Sequence, residues 1–231
     1  MTFFEVNIPP IPNDVHIHHI AHTPILKRAK ILIIVVCLLN FSLVGLSVLE
    51  ELHQSHNLSH NLSWLLSYAD IITSLSFIAL AIACFYLSKL SLRKRLFHLC
   101  IISFILIVLT YCMLWLFGEQ NTLIISIGSL IYSLFNLYIS WQGAKELSFI
   151  THDHFFFKGA KISIASLIPL FVALFTILLG LNVENSAIAV LGAIIGVVGI
   201  VCMFAGVIML IIAICRMRQI IAYGEGISNP L

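Results

Sequence analysis

Long apolar stretches alternate along the chain with short polar ones. Uninterrupted apolar runs bounded by charge predict helices over Ile31 to Leu49, Trp64 to Ser88, Leu96 to Phe117, Thr122 to Trp141, Ile162 to Leu181 and Ser186 to Cys215. Each holds roughly the 20 residues an α-helix needs to cross a hydrocarbon core about 30 Å thick. The sixth is long enough to tilt or project. Residues 1–30 contain Pro9, Pro10, Pro12 and Pro24 and no apolar core, so they read as an irregular cytoplasmic tail and not as a cleavable signal peptide. Residues 216–231 form a second short tail. Pro169 cannot donate to the Ala165 carbonyl and predicts a kink in the fifth span.

Of the 231 residues, 61% are hydrophobic and only 10% charged, with a mean hydropathy of +1.09. After six spans too little chain remains to bury a second core, which excludes a separate soluble catalytic or nucleic-acid-binding domain. The twelve basic residues form four groups: Lys27, Arg28 and Lys30; Lys89, Arg93, Lys94 and Arg95; Lys145, Lys158 and Lys161; Arg216 and Arg218. All four fall on one side of a six-span topology, and the opposite loops carry Glu50, Glu51, Glu119 and Glu184. The positive-inside rule then places both termini in the cytoplasm. The fold class expected is an all-α integral membrane protein, a six-transmembrane-helix bundle in which 31–215 form the membrane domain. Trp64, Trp115 and Trp141 stand at span ends, where amphipathic rings favour the headgroup region. All six cysteines lie within spans and no CxxC pair occurs, a pattern that suits small apolar packers better than disulfides or a thiol metal site.

Within the spans, small or polar residues recur with a seven-residue period. Ser126, Ser129, Ser133, Asn136 and Ser140 form one stripe on span 4, and Ser67, Asp70, Ser74, Ala81 and Ser88 another on span 2. Span 5 offers Ser163, Ser166, Ala173 and Gly180; span 6 has Ala189, Gly192, Gly196, Gly199 and Gly206. Such faces let transmembrane helices approach closely and hydrogen-bond at roughly 0.6 kcal/mol per bond. They predict a tightly packed bundle, with a polar path lined by spans 2 and 4 as the alternative. Leu26-Lys27-Arg28-Ala29-Lys30-Ile31, Leu92 to Phe97 and Phe157-Lys158-Gly159-Ala160-Lys161-Ile162 all lead into odd-numbered spans. Three αα-hairpins are therefore one internal organisation open to the chain.

Asp70 is the one ionisable residue well inside a span. A charge at the bilayer centre costs from about 2.5 kcal/mol upward, so it should face protein or water. Its partners are then hydroxyls or amides: Tyr68 and Ser74 nearby, Asn40 or Asn136 across the bundle. Nine of the ten histidines lie outside the spans. His16, His18, His19 and His22 cluster in the N-terminal tail, His53, His56 and His60 in the first outer loop, and His152 and His154 flank Asp153. Neutral imidazoles suit a divalent metal, although the tandem His-Asn-Leu-Ser at His56 and His60 also multiplies histidines by simple duplication. Asn57 and Asn61 fit glycosylation sequons, which matter only in a eukaryotic secretory pathway. No GxSxG, HExxH, P-loop or dinucleotide turn is present. His98 and Cys100, two positions apart on a helix, point to different faces. Catalytic residues are accordingly not assigned, no cofactor is expected beyond a divalent metal at the histidines, and an intramembrane enzyme is the third-ranked reading.

From Gly143-Ala-Lys-Glu-Leu-Ser148 through Phe156-Phe157-Lys158 into Ile162 to Leu181, the chain resembles a segment of small multi-pass membrane proteins of bacteria and archaea whose function is uncharacterised. There a Leu-Ser pair closes one helix and Phe-Lys opens the next after a short polar loop. The resemblance implies a bacterial inner (plasma) membrane protein and carries no catalytic residues with it. The function expected is non-catalytic, through helix–helix association with itself or another membrane protein. A small-solute or ion permease using Asp70 and the serine stripes is the alternative.

Overall fold

The computed structural model describes residues 11, 13, 15–19, 23–55, 63–117, 122–183 and 186–223, with side chains described except at 18, 41, 43–55, 63–67, 70, 114, 117, 122–126, 129 and 181. In chain order the elements are β1 (His16–His19), α1 (Pro24–Ser55), α2 (Ser63–Ser91), α3 (Arg95–Phe117), α4 (Thr122–Thr151), α5 (Phe155–Ala165), α6 (Leu167–Asn182), α7 (Ser186–Arg216) and β2 (Gln219–Ala222). Among the described residues, four segments are long and apolar enough to cross a membrane: Ile71–Ser91, Arg95–Met113, Phe155–Gly180 and Ser186–Arg216. The first and fourth expected spans lie on α1 and α4.

Several boundaries differ from expectation for identifiable reasons. Helix α1 starts at Pro24, a residue suited to a first helical position because its missing N–H has no intrahelical role there. Leu26 and Ala29 on this added turn are fully buried, so the basic flank of the first span is helical. Helix α4 continues past Trp141 to Thr151. Its extension carries Gln142, Lys145 and Glu146, and Gln142 and Glu146 are buried together with Trp141, Ala144, Ser148, Phe149 and Ile150. The fifth expected span is two helices. Ser166 separates α5 from α6, three residues before Pro169; its backbone stays helical, at φ −67° and ψ −17°, and its hydroxyl donates to the Ser163 carbonyl at 2.6 Å.

The tails expected to be irregular contain a two-stranded antiparallel ribbon. β1 pairs with β2 in the register His16 with Ala222, Ile17 with Ile221, His18 with Ile220 and His19 with Gln219. Ile220, Ile221 and Ala222 are buried. Tyr223 follows them and donates its backbone N–H to the Ser91 carbonyl at 3.3 Å, which ties the ribbon to the end of α2.

The chain forms two compact units, Ser103–Arg216 in one and Asp14–Ile102 with Met217–Ile227 in the other. In the second, α1 lies along α2. Asn40 donates to the Val36 carbonyl at 2.8 Å and to Ser76 Oγ at 3.0 Å, bridging the two helices. In the first unit α6 and α5 both pack on α7, and α4 packs on α5. Glycines on α7 set the closeness of that contact. A Cβ at Gly206 would stand 2.7 Å from the Ser163 backbone nitrogen and 2.8 Å from the Gly159 oxygen; one at Gly192 would stand 2.8 Å from the Ile177 nitrogen. Gly199 lies opposite Leu170, whose Cγ would be 2.8 Å away, whereas a Cβ at Gly196 would meet only Ala173 Cβ at 3.4 Å.

Candidate functional site

Two helix corners on the basic side of the sequence share one backbone design. Helix α4 ends with His152 in the left-handed region, φ 55°. His152 N–H donates to the Phe149 carbonyl at 3.4 Å and Asp153 N–H to that of Ser148 at 3.1 Å, the bond pair of a Schellman terminus. Asp153 Oδ1 then accepts the Phe155 N–H at 2.9 Å, and the buried Ser148 Oγ accepts the Phe157 N–H at 2.9 Å. These bonds satisfy donors that the first turn of α5 would otherwise leave without partners. Helix α2 also ends on a left-handed residue, Leu92 at φ 57°, and there Ser88 Oγ accepts the Phe97 N–H at 3.2 Å. The same interval separates Ser88 from Ser148, Leu92 from His152 and Phe97 from Phe157. The corners thus share a left-handed turn residue and a serine acceptor at the same spacing.

Their side chains fill the corners differently. At the α4–α5 corner Trp141 packs against Phe157 with ring centroids 4.7 Å apart, and Lys145 Nζ lies 5.8 Å from the centroid of each ring. Arg216 covers Phe155 at 4.9 Å. At the α2–α3 corner the equivalent of Lys145 is Phe85, which meets Phe97 edge-on at 5.7 Å. The equivalent of Trp141 is Ala81. A groove of about 580 Å3 stays open there, lined by Phe85, Ser88, Lys89, Leu92, Lys94, Phe97 and His98. Lys89, Lys94 and His98 are exposed. Beside this corner the Tyr223 phenol is pushed up from its ordinary value by burial, and the nearby Arg93 guanidinium partly opposes that shift.

A second cavity, about 330 Å3, lies between α3 and α4 and is lined by Leu106, Leu109, Thr110, Met113, Ile127, Gly128, Ile131 and Tyr132. Thr110 turns its hydroxyl onto the Leu106 carbonyl at 2.9 Å, so the walls are almost wholly apolar. Above it, Ser103 donates to Asn136 Oδ1 at 3.3 Å.

The expected site residues are scattered over these features. Asn40 and Asn136 each bond a serine of another helix. Ser74 and Ser133 are exposed, and Ser133 is not among the residues lining the α3–α4 cavity. Asp70 falls on α2, but its side chain lies outside the described residues, as do those of Ser126 and Ser129. Gly192, Gly199 and Gly206 are buried on α7. His16 and His19 are exposed, and the pleat of β1 sends them to opposite faces. His22, His56 and His60 and the side chains of His18 and His53 lie outside the described residues. Among the described residues no three His, Cys, Asp or Glu side chains come together as a metal site. The open groove was missed in the sequence; the basic stretch Lys89 to Arg95 beside Phe85 and Phe97 was its nearest signal. No protein-family model, curated protein or solved structure matches the chain.

Proposed function

We propose that the chain is a six-span membrane protein of the bacterial inner (plasma) membrane, with both termini on the basic, cytoplasmic side. It acts without catalysis, through helix association with itself or another membrane protein. The even number of spans is supported by the ribbon, because β1 precedes the first helix and β2 follows the last, and strands that pair must share a side of the bilayer. Four of the spans have described segments of sufficient length and apolarity.

The observation that carries the association reading is how the polar side chains within the helices are used. Asn40 meets Ser76 and Ser103 meets Asn136; Ser42, Thr73, Thr110 and Thr176 donate to carbonyls of their own helices. The two Asn–Ser bonds join helices, the others are spent within their own helix, and groups so satisfied leave little to solvate a passing polar solute. The glycine face of α7 is occupied within the chain by α5 and α6. Faces left for a partner include the exposed ones of α3 and α4, with Phe104, Ile105 and Val108, and Leu130, Leu134 and Phe135.

Cysteine accessibility separates this reading from a permease. In a variant with the six native cysteines replaced, Ser126→Cys, Ser129→Cys and Ser133→Cys should stay unreactive toward a membrane-impermeant maleimide in intact membranes. Reaction at all three would mean that α4 lines water and would replace the association reading with transport.

A further inference from the structure

We propose that the open groove at the α2–α3 corner binds the phosphate headgroup of an anionic glycerophospholipid, with Lys89 and Lys94 facing the phosphate and Phe85, Leu92 and Phe97 against the glycerol and upper acyl chains. The inference rests on the basic side being a membrane face, as read above. It requires neither the association function nor a particular number of spans.

Three observations converge on it. The groove's volume, about 580 Å3, lies within the roughly 300–1,000 Å3 range of small-molecule sites. Its chemistry is divided as a phospholipid is divided. Exposed cationic or imidazole side chains, Lys89, Lys94 and His98, stand beside an apolar wall built on the Phe85–Phe97 edge contact. Basic pockets at cytoplasmic span ends are places where anionic headgroups gather, because the leaflet's negative potential and direct pairing with phosphate act together.

Leu92 is the second observation. A bulky residue at φ 57° is uncommon, and the conformation favours glycine or asparagine. The α4–α5 corner places a histidine there, a polar residue found more readily in this region. Leu92 is also 51% exposed. An outward leucine held in a disfavoured backbone state has an apolar counterpart if lipid covers it.

The comparison between corners is the third. At the α4–α5 corner Trp141 packs on Phe157 and Lys145 lies over both rings. At the α2–α3 corner the corresponding positions are Ala81 and Phe85; Phe85 lines the groove, and Ala81, a turn away, offers no ring to Phe97. The space is therefore a consequence of side-chain choice and not of the turn. A tryptophan at position 81 should close it.

The experiment uses the full chain, purified in detergent, delipidated and re-exposed to phosphatidylglycerol or phosphatidylcholine. Retained lipid is counted by native mass spectrometry. Wild type should keep phosphatidylglycerol in preference to phosphatidylcholine. Lys89→Gln with Lys94→Gln should lower phosphatidylglycerol retention about thirtyfold, the factor expected for two lysines at a membrane surface. Lys158→Gln with Lys161→Gln removes the same charge elsewhere and should leave retention near wild type. Ala81→Trp, checked for folding by circular dichroism, should lower retention of phosphatidylglycerol with both lysines in place. Equal retention of the two lipids, or equal losses in the two lysine pairs, would overturn the site in favour of general surface charge. Full displacement of phosphatidylglycerol by inorganic phosphate would overturn it in favour of a free anion. Both lysines are exposed, so their double variant folds independently of the outcome at Ala81.

Discussion

Gly206→Ala offers a sharp test of how α7 is held. The added methyl would lie 2.7 Å from the Ser163 nitrogen and 2.8 Å from the Gly159 oxygen. Both are backbone atoms of α5, so no rotamer change relieves the contact and the helices must separate. Overpacking of this kind costs about 1–3 kcal/mol, and with backbone on two sides the upper end applies. Alanine returns about 1 kcal/mol of helix propensity over glycine. The net expectation is a loss of about 2 kcal/mol. Gly196→Ala supplies the control on the same helix. Its methyl meets only Ala173 Cβ at 3.4 Å, so the propensity gain dominates and stability should rise by about 0.5–1 kcal/mol. Both variants can be measured by reversible unfolding in mixed detergent micelles, followed by circular dichroism. A common sign for the two substitutions, or a difference between them below about 1 kcal/mol, would refute the close-approach account.

Ser148→Ala removes the acceptor of the buried Phe157 N–H and should destabilise by about 1–2 kcal/mol; Ser88→Ala, whose bond is longer, should cost less in the same assay. In a cysteine-free background, Ile17→Cys with Ile221→Cys should cross-link under mild oxidation, because these residues are register partners. Ile17→Cys with Gln219→Cys, two positions out of register, should not. The Tyr223 phenol has a folded-state pKa above its ordinary 10.0, so it binds its proton more tightly folded than unfolded. Its contribution to stability is complete below that ordinary value and is lost as pH rises through the raised one. Arg93→Gln should move its ultraviolet titration to still higher pH.

Six apolar runs were legible because lipid leaves so few ways to satisfy a backbone, and each run falls on helix. The break near Pro169 was legible too, since a missing N–H acts locally whatever surrounds it. The extension of α4 was not. Lys145 and Glu146 look like the end of a span, yet Trp141, Ser148 and Phe149 bury the same turns against neighbours in the chain. The β1–β2 ribbon was beyond reach for a related reason. His16-Ile-His-His19 has no alternating pattern, and its partner strand is recognised only once the two segments meet. The repeat was glimpsed in the basic stretches before the odd spans, while its defining pairs, Ser88 with Phe97 and Ser148 with Phe157, depend on a turn that neither sequence announces with glycine. The groove needed Phe85 and Phe97 to meet beside Lys89 and Lys94, which happens only once α2 and α3 are folded.

The ribbon also orders events during biosynthesis. The corners join residues close in sequence and can form as soon as each pair of helices is inserted, but β1 must wait for nearly the whole chain to follow it out of the ribosome before β2 exists. Until then water alone serves the backbone groups of His16 to His19. A chain that stops short of β2 leaves those groups without their ladder partners. Terminal pairing therefore distinguishes a fully synthesised chain from an incomplete one.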